Sequence, residues 1–348
     1  MNAGSVTCLV PTHNRPHFLR RWLRFYQNFP PGFAVLVVDS SAPAAAAENQ
    51  ALVAAPGGAI AVSYLHLPFN FYQKLAQGLE LVKTPYVTLC ADDDIIMPDA
   101  VQRSADFLEQ HPEYGSALGR TVKVYPRRRW FAFQRLKGYS IEHSDPLSRC
   151  RQMARNFFTN FYAVHRTTSL RSDFRLVAAG SDGTANDAVG EALLSQLSVI
   201  GGRVKLLPCL HLLIERHPAM GGILYGGRWA NVVEQFQMFR RSLVGELAAS
   251  GVDRAVAEAY VDHQYHHFSD PVNPRQWRQR TFPETLAYLL SSTGERLGDV
   301  FHDGQARHRR PMARSDYAGS EVQWQAAIAL MRQYPDGLPA PASSVAAH

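Results

Sequence analysis

The chain has 348 residues, with 36 Lys and Arg against 30 Asp and Glu, a formal net charge of +6, and 46% hydrophobic residues. That balance excludes a largely disordered chain and suits one large domain or two smaller ones, with a core that needs no disulfide or structural metal. No run approaches the ~18 apolar residues that cross a bilayer, and the opening MNAGSVTCLVPTHNRP does not read as a signal peptide. Cys8, Cys90, Cys150 and Cys209 are scattered and form no CxxC pair, so a reducing, cytoplasmic setting is expected.

Val6–Val10 reads as a short buried strand. The turn Pro11–Pro16 follows, with Asn14 placed to cap a helix and Pro16 to open it. Phe18, Leu19, Trp22, Leu23, Tyr26 and Phe29 then recur at helical spacing until Pro30-Pro31-Gly32. Ala34–Val38 is a second strand, Ala44–Ala54 a helix, Ile60–Leu65 a third strand and Asn70–Val82 a helix. Tyr86–Cys90 is a fourth strand, running into Asp92-Asp93-Asp94. Asp99 is expected to cap a helix that reaches His111.

Continuous apolar strands alternating with helices predict a parallel sheet covered on both faces. Ligands of such sheets bind beyond the carboxyl ends of the strands, where Asp39 and the three aspartates fall. Ala117–Tyr125 and Phe157–His165 read as further strands, Asp187–Val199 as a helix, and Val204–Leu207 as a strand closed by Pro208. The later helices are expected at Val232–Ala249, Arg254–His266 and Pro283–Ser292.

Three adjacent carboxylates raise one another's pKa unless a cation sits among them. A divalent cation with hard oxygen ligands, Mn²⁺ or Mg²⁺, would resolve that repulsion and bridge to phosphates. A solvated acidic turn is the alternative.

Val6–Pro16 resembles the opening of inverting GT-A glycosyltransferases of the large family 2 type, whose first strand ends in Pro-Thr-aromatic-Asn-Arg. Val35–Ser41 resembles their second strand, and Ala91–Asp99 their DXD segment, including the following proline. The resemblance spans about residues 5–220. It implies a Rossmann-like, mostly parallel sheet flanked by helices, with a helical C-terminal extension. The expected division is a catalytic domain over 1–225, a helical region over 226–336 and a frayed tail over 337–348.

The resemblance also implies roles. Pro11, Thr12, Asn14 and Arg15 would line the nucleotide site. Asp39 would accept a hydrogen bond from the base, and Lys74 would lie near the nucleotide. Asp92 would lie near the ribose. Asp94, with Asp92 or Asp93, would hold the metal on the diphosphate. The general base would be a carboxylate at a helix start before the strand matched by Gly202–Pro208, which offers Asp187 first and Glu191 second. Ile214–Pro218 resembles the family's Arg-x-His segment, making His217 a further metal ligand and Arg216 a charge on the leaving diphosphate.

The implied activity is metal-dependent, inverting transfer of a sugar from a nucleotide-diphosphate donor, most simply a UDP-sugar, to a glycan, a lipid-linked glycan or another hydroxyl acceptor. A nucleotidyltransferase and a noncatalytic binding protein of the same fold are the alternatives. A glycine-rich phosphate loop, usual in the former, is missing from Pro11–Pro16. The basic runs Arg127–Arg129 and Arg307–Arg310 could meet an acidic glycan or the inner face of a membrane. No nucleic acid is expected as partner, and a homodimer is allowed.

Overall fold

The computed structural model describes residues 4–55, 60–126, 133–135, 138–155, 157–158, 160–180, 187–217, 232–265 and 319–339. The predicted helix Pro283–Ser292 and both basic runs lie outside these residues.

The first strands are β1 (Val6–Thr12), β2 (Ala34–Asp39), β3 (Val62–His66) and β4 (Tyr86–Leu89). The short β5 (Ile95–Ile96) and β6 (Tyr114–Val124), β7 (Phe133–Arg135), β8 (Val164–Arg166) and β9 (Arg203–Glu215) complete the sheet. Its order is β3-β2-β1-β4-β8-β6-β9-β5, with β7 paired to β6. β3, β2, β1 and β4 are mutually parallel, as are β6 and β9; β8 runs antiparallel to both of its neighbours. The expected α/β architecture is therefore present.

The sheet is covered on both faces because its strands alternate between two cores. Leu9, Leu36, Val38, Val87 and Leu89 face α3 (Phe71–Leu81), α6 (Thr167–Ala179) and α7 (Asp187–Gly201). Their neighbours Cys8, Val10, Val35, Val37 and Tyr86 face α1 (Pro16–Asn28) and α4 (Pro98–Gln110). Helix α2 (Pro43–Ala54) follows β2. Gly78 lets α3 approach the sheet, since a Cβ there would meet the Val38 side chain at 2.7 Å. All four cysteines are buried and free.

On the first face, α8 (Val232–Ala249) and α9 (Arg254–Tyr265) add Phe239, Leu243, Leu247 and Val261 to the core around α7. On the second, α10 (Glu321–Gln333) adds Trp324, Ala327, Ile328 and Met331, a helical i, i+3, i+4, i+7 stripe, to the core of α1. Among the described residues no helix is long and apolar enough to cross a membrane.

Several local expectations are corrected. Phe157–His165 is not one strand: Asn160 turns the chain, binding Ser198 Oγ through Nδ2 and accepting the Ala163 N–H, so only Val164–Arg166 joins the sheet. Pro208 does not end its strand. The register of β9 on β6 shifts where Gly119 faces Cys209, and the bulge lets β9 continue to Glu215. Asn14 does not cap α1. It adopts φ +54°, and its Oδ1 accepts the Ala42 N–H at the start of α2, leaving Arg15 at the cap position. Asp99 lies in the first turn of α4, after Met97 at the cap. Helices α5 (Pro146–Arg155), α6 and α10 are additions to the predicted set.

Candidate active site

The site forms where β1, β2 and β4 end side by side. Thr12 pairs with Asp39 in register, and Leu9 with Leu89, so the loops after all three strands share one edge. The start of α7 belongs to that edge too. The helix precedes β9, which runs parallel to β6, so its first turn lies where the parallel strands finish.

Asp92 is buried. Its Oδ2 accepts the Thr12 hydroxyl at 2.7 Å and its Oδ1 pairs with Arg15. The other Arg15 nitrogen donates to Asp93 Oδ2 at 2.8 Å, and His217 Nε2 sits 2.9 Å from that same oxygen. Arg15 therefore bridges two of the three aspartates. Burial opposes its charge, but Asp92 and Asp93 outweigh burial and hold its pKa above the ordinary arginine value.

Asp94 points elsewhere. Its Oδ1 accepts the Glu215 backbone N–H at 3.0 Å, and Tyr162 hydrogen-bonds its carboxylate. Burial, with the Asp93 charge, pushes the Asp94 pKa well up. The Asp93 pKa is held down: burial pushes it up, but the His217 hydrogen bond and the Arg15 charge pull it lower still.

Asp39 is 0% exposed. It accepts the Ser41 N–H at 2.7 Å, the Asn49 amide at 2.9 Å and the Tyr64 hydroxyl at 2.8 Å. Burial raises its pKa, yet these hydrogen bonds bring it below the usual carboxylate value. The turn it holds reaches the β1 loop, because Ser41 Oγ accepts the Asn14 N–H at 2.7 Å.

Lys74 is no surface lysine. It is 3% exposed and donates to the Thr12 carbonyl at 2.6 Å and to Ser40 Oγ at 3.0 Å. Burial pulls its pKa down to about 8, against the charges of Asp92 and Asp39. It thus links the β1 and β2 ends. Pro11 is buried in β1, and Asn14 and Arg15 lie in the loop beyond it.

Glu191 is half-buried on α7, within electrostatic range of Lys123, whose charge also feels Arg216. Asp187 opens the same helix. Gly190 between them lets that first turn seat on the Tyr72 ring of α3.

Sequence reasoning missed a second tier behind the aspartates. Arg21 of α1 is 1% exposed, pairs with Glu215, and donates to the carbonyls of Asp93 at 3.1 Å and Tyr334 at 2.7 Å. Tyr26, one turn and a residue on, accepts the Ile96 N–H at 3.0 Å and donates to the Ile96 carbonyl at 2.7 Å. Phe18 stacks on His217, with ring centroids 4.7 Å apart, between the guanidinium groups of Arg15 and Arg21. The available signal was a lone arginine inside the apolar stripe of α1.

The fit of a divalent cation can be judged from the donors. The expected set Asp92, Asp94 and His217 is not gathered: His217 meets Asp93, and Asp94 turns to a backbone N–H. Asp92 and Asp93 are engaged by Arg15, and among the described residues no group of three His, Cys, Asp or Glu is arranged to hold an ion. As arranged, the residues do not fit Mn²⁺ or Mg²⁺.

Comparison with known proteins agrees with the fold. The glycosyl transferase family 2 model matches residues 7–173. No curated protein is detectably similar in sequence. Among solved structures, S. aureus TarS 1-349 in complex with UDP-GlcNAc matches with TM-score 0.53 and 15% identity, over 94% of this chain and 92% of that one. The same protein without a named ligand matches with TM-score 0.51 and 15% identity, over 94% and 91%. Residues 7–173 thus resemble glycosyl transferase family 2, and the fold is of the GT-A type.

Proposed function

We propose that this chain is a glycosyltransferase that moves a sugar from a UDP-sugar to a hydroxyl of a glycan or lipid-linked glycan, with inversion at the anomeric carbon. The observation that carries the reading is the cationic clamp at the strand ends: Arg15 and buried Lys74 flank Asp92 and Asp93 where a nucleotide diphosphate meets such a sheet. The UDP-GlcNAc and UDP complexes of TarS support UDP as the nucleotide.

In this reading Asp39 shapes the base end through the Ser40–Ser41 turn, and Asp92 borders the ribose. The diphosphate lies against Arg15, Lys74 and Arg216. A carboxylate at the start of α7, Asp187 before Glu191, takes the acceptor proton as the acceptor oxygen attacks the anomeric carbon. The bond from that carbon to the diphosphate breaks on the opposite face, and its electron pair leaves with UDP. The positive groups stabilise that leaving charge. No step is routed through a metal ion, because the donor set as arranged does not fit one. We assign acceptor recognition to the basic and aromatic sequence Tyr125–Arg135, at the cytoplasmic face of a membrane if the acceptor is lipid-linked.

The test is calorimetric binding of UDP, GDP and ADP to the full chain, followed by UDP release from a panel of UDP-sugars. UDP is expected to bind at least tenfold tighter than GDP or ADP. Equal affinity for all three, or no binding with or without Mn²⁺, overturns the proposal.

A further inference from the structure

Arg21 is hard to explain as packing. The neighbouring buried positions of α1 are apolar or aromatic: Phe18, Leu19, Trp22, Leu23, Phe25 and Tyr26. Burying a guanidinium among them costs several kcal/mol in desolvation, and a buried ion pair with Glu215 at best about offsets that. What the arginine supplies instead is connection. One nitrogen donates to the Tyr334 carbonyl just after α10; the other meets Glu215 and the Asp93 carbonyl. Glu215 in turn donates its backbone N–H to Asp94.

A second route runs parallel to the first. The chain after α10 is pinned on α1: Leu338 N–H donates to the His17 carbonyl at 3.0 Å, and Arg20 donates to the Leu338 carbonyl at 3.2 Å. Gly337 packs on His17 with φ +83°, a left-handed value that favours glycine, and a Cβ there would lie 2.6 Å from the His17 carbonyl carbon. The His17 ring meets Phe18 at 4.6 Å between centroids, and Phe18 meets His217 at 4.7 Å. His217 then reaches Asp93. Both routes start at residues 334–338 and end on the aspartate loop.

We infer that Arg21 is a positioning residue through which the segment Tyr334–Leu338 holds the Asp92–Asp94 loop in its donor-binding shape. The C-terminal segment is then part of the donor site, although it contributes no atom to the ligand. The functional consequence rests on the proposed UDP-sugar activity; the mechanical coupling does not.

Two variants of the full chain test it. Gly337→Ala disturbs the far end without touching the site. Arg21→Lys keeps a charge beside Glu215, but a single ammonium cannot reach all three acceptors. Leu243→Ala, a core change on the opposite face, is the control for lost stability. Hydrogen exchange of the Ala91–Met97 amides is expected to quicken at least tenfold in both variants and to stay unchanged in Leu243→Ala. UDP affinity is expected to weaken at least fivefold in the same two variants alone. Exchange that rises only within residues 319–339, or rises equally in Leu243→Ala, overturns the inference. If wild type binds no UDP, the functional proposal falls, while the exchange arm still decides the coupling.

Discussion

Replacing Arg21 by methionine leaves Glu215 buried at 0% exposure without its ion-pair partner. Burial already pushes the Glu215 pKa up to about 7, despite Arg21. Without Arg21 the pKa rises further and the carboxyl takes up a proton. Holding neutral at about pH 7 an acid whose unfolded pKa is 4.5 costs about 2.5 × 1.36, or ~3.4 kcal/mol. At about pH 5 the same step costs ~0.7 kcal/mol.

The sign follows from linkage. A raised folded pKa means that the native state binds the proton more tightly, so stability is lost as pH rises above 4.5 towards the folded value. Wild type bears most of this cost too, because its own Glu215 pKa is about 7, so the pH-dependent part of the variant's extra loss is ~0 at about pH 5, ~0.4 kcal/mol at about pH 7 and up to ~2.7 kcal/mol at about pH 9. A residual of ~1–2 kcal/mol should persist from the orphaned carbonyls of Asp93 and Tyr334. Urea unfolding of wild type and variant at about pH 5, 7 and 9 measures this. The double variant Arg21→Met/Glu215→Leu should recover stability at about pH 7, since an apolar pair replaces the ions. A loss of equal size at about pH 5 and about pH 9, or below ~1 kcal/mol at about pH 7, refutes the reasoning.

Other consequences can be measured independently. Arg15→Gln frees the Asp92 and Asp93 oxygens, so Mn²⁺ binding followed by electron paramagnetic resonance should tighten at least about tenfold; unchanged binding means the arginine does not exclude the ion. Lys74 loses its charge above a pKa of about 8, so wild-type UDP affinity should fall through that point by about tenfold in all. Lys74→Met should bind about tenfold more weakly with no inflection there, and an inflection that survives the substitution assigns it to another group. The conservative base variants Asp187→Asn and Glu191→Gln should divide the roles: one lowers transfer by ~10²–10⁴ with UDP affinity within about twofold. Full transfer in both removes the base from α7. Trp324→Ala should cost ~3–5 kcal/mol by opening a cavity beneath α1, read from thermal unfolding; a change below ~1 kcal/mol would mean that α10 is not docked there.

The strand–helix alternation was legible because Val6–Val10, Ala34–Val38 and Tyr86–Cys90 are continuous apolar runs, which only a sheet covered on both faces can bury. The strand-end placement of Asp39 and Asp92–Asp94 followed from the same pattern. What the pattern could not contain was the direction of each carboxylate. Asp92, Asp93 and Asp94 are adjacent in the chain, yet they meet Arg15 with Thr12, Arg15 with His217, and the Glu215 N–H respectively. Those partners lie about 80–120 residues away in sequence, beyond any local periodicity. The bulge that carries β9 past Pro208 depends on Gly119 of another strand.

Composition and periodicity therefore determined the α/β class, the two-faced core and the edge where chemistry gathers, since these depend on each residue's own polarity and its near neighbours. Tertiary structure alone decided that Arg15 bridges the aspartates, that Lys74 is buried between two strand ends, and that the chain beyond α10 returns to the site through Arg21. Such pairings are set by packing, which brings distant charges together in a low-dielectric interior where each must find a partner.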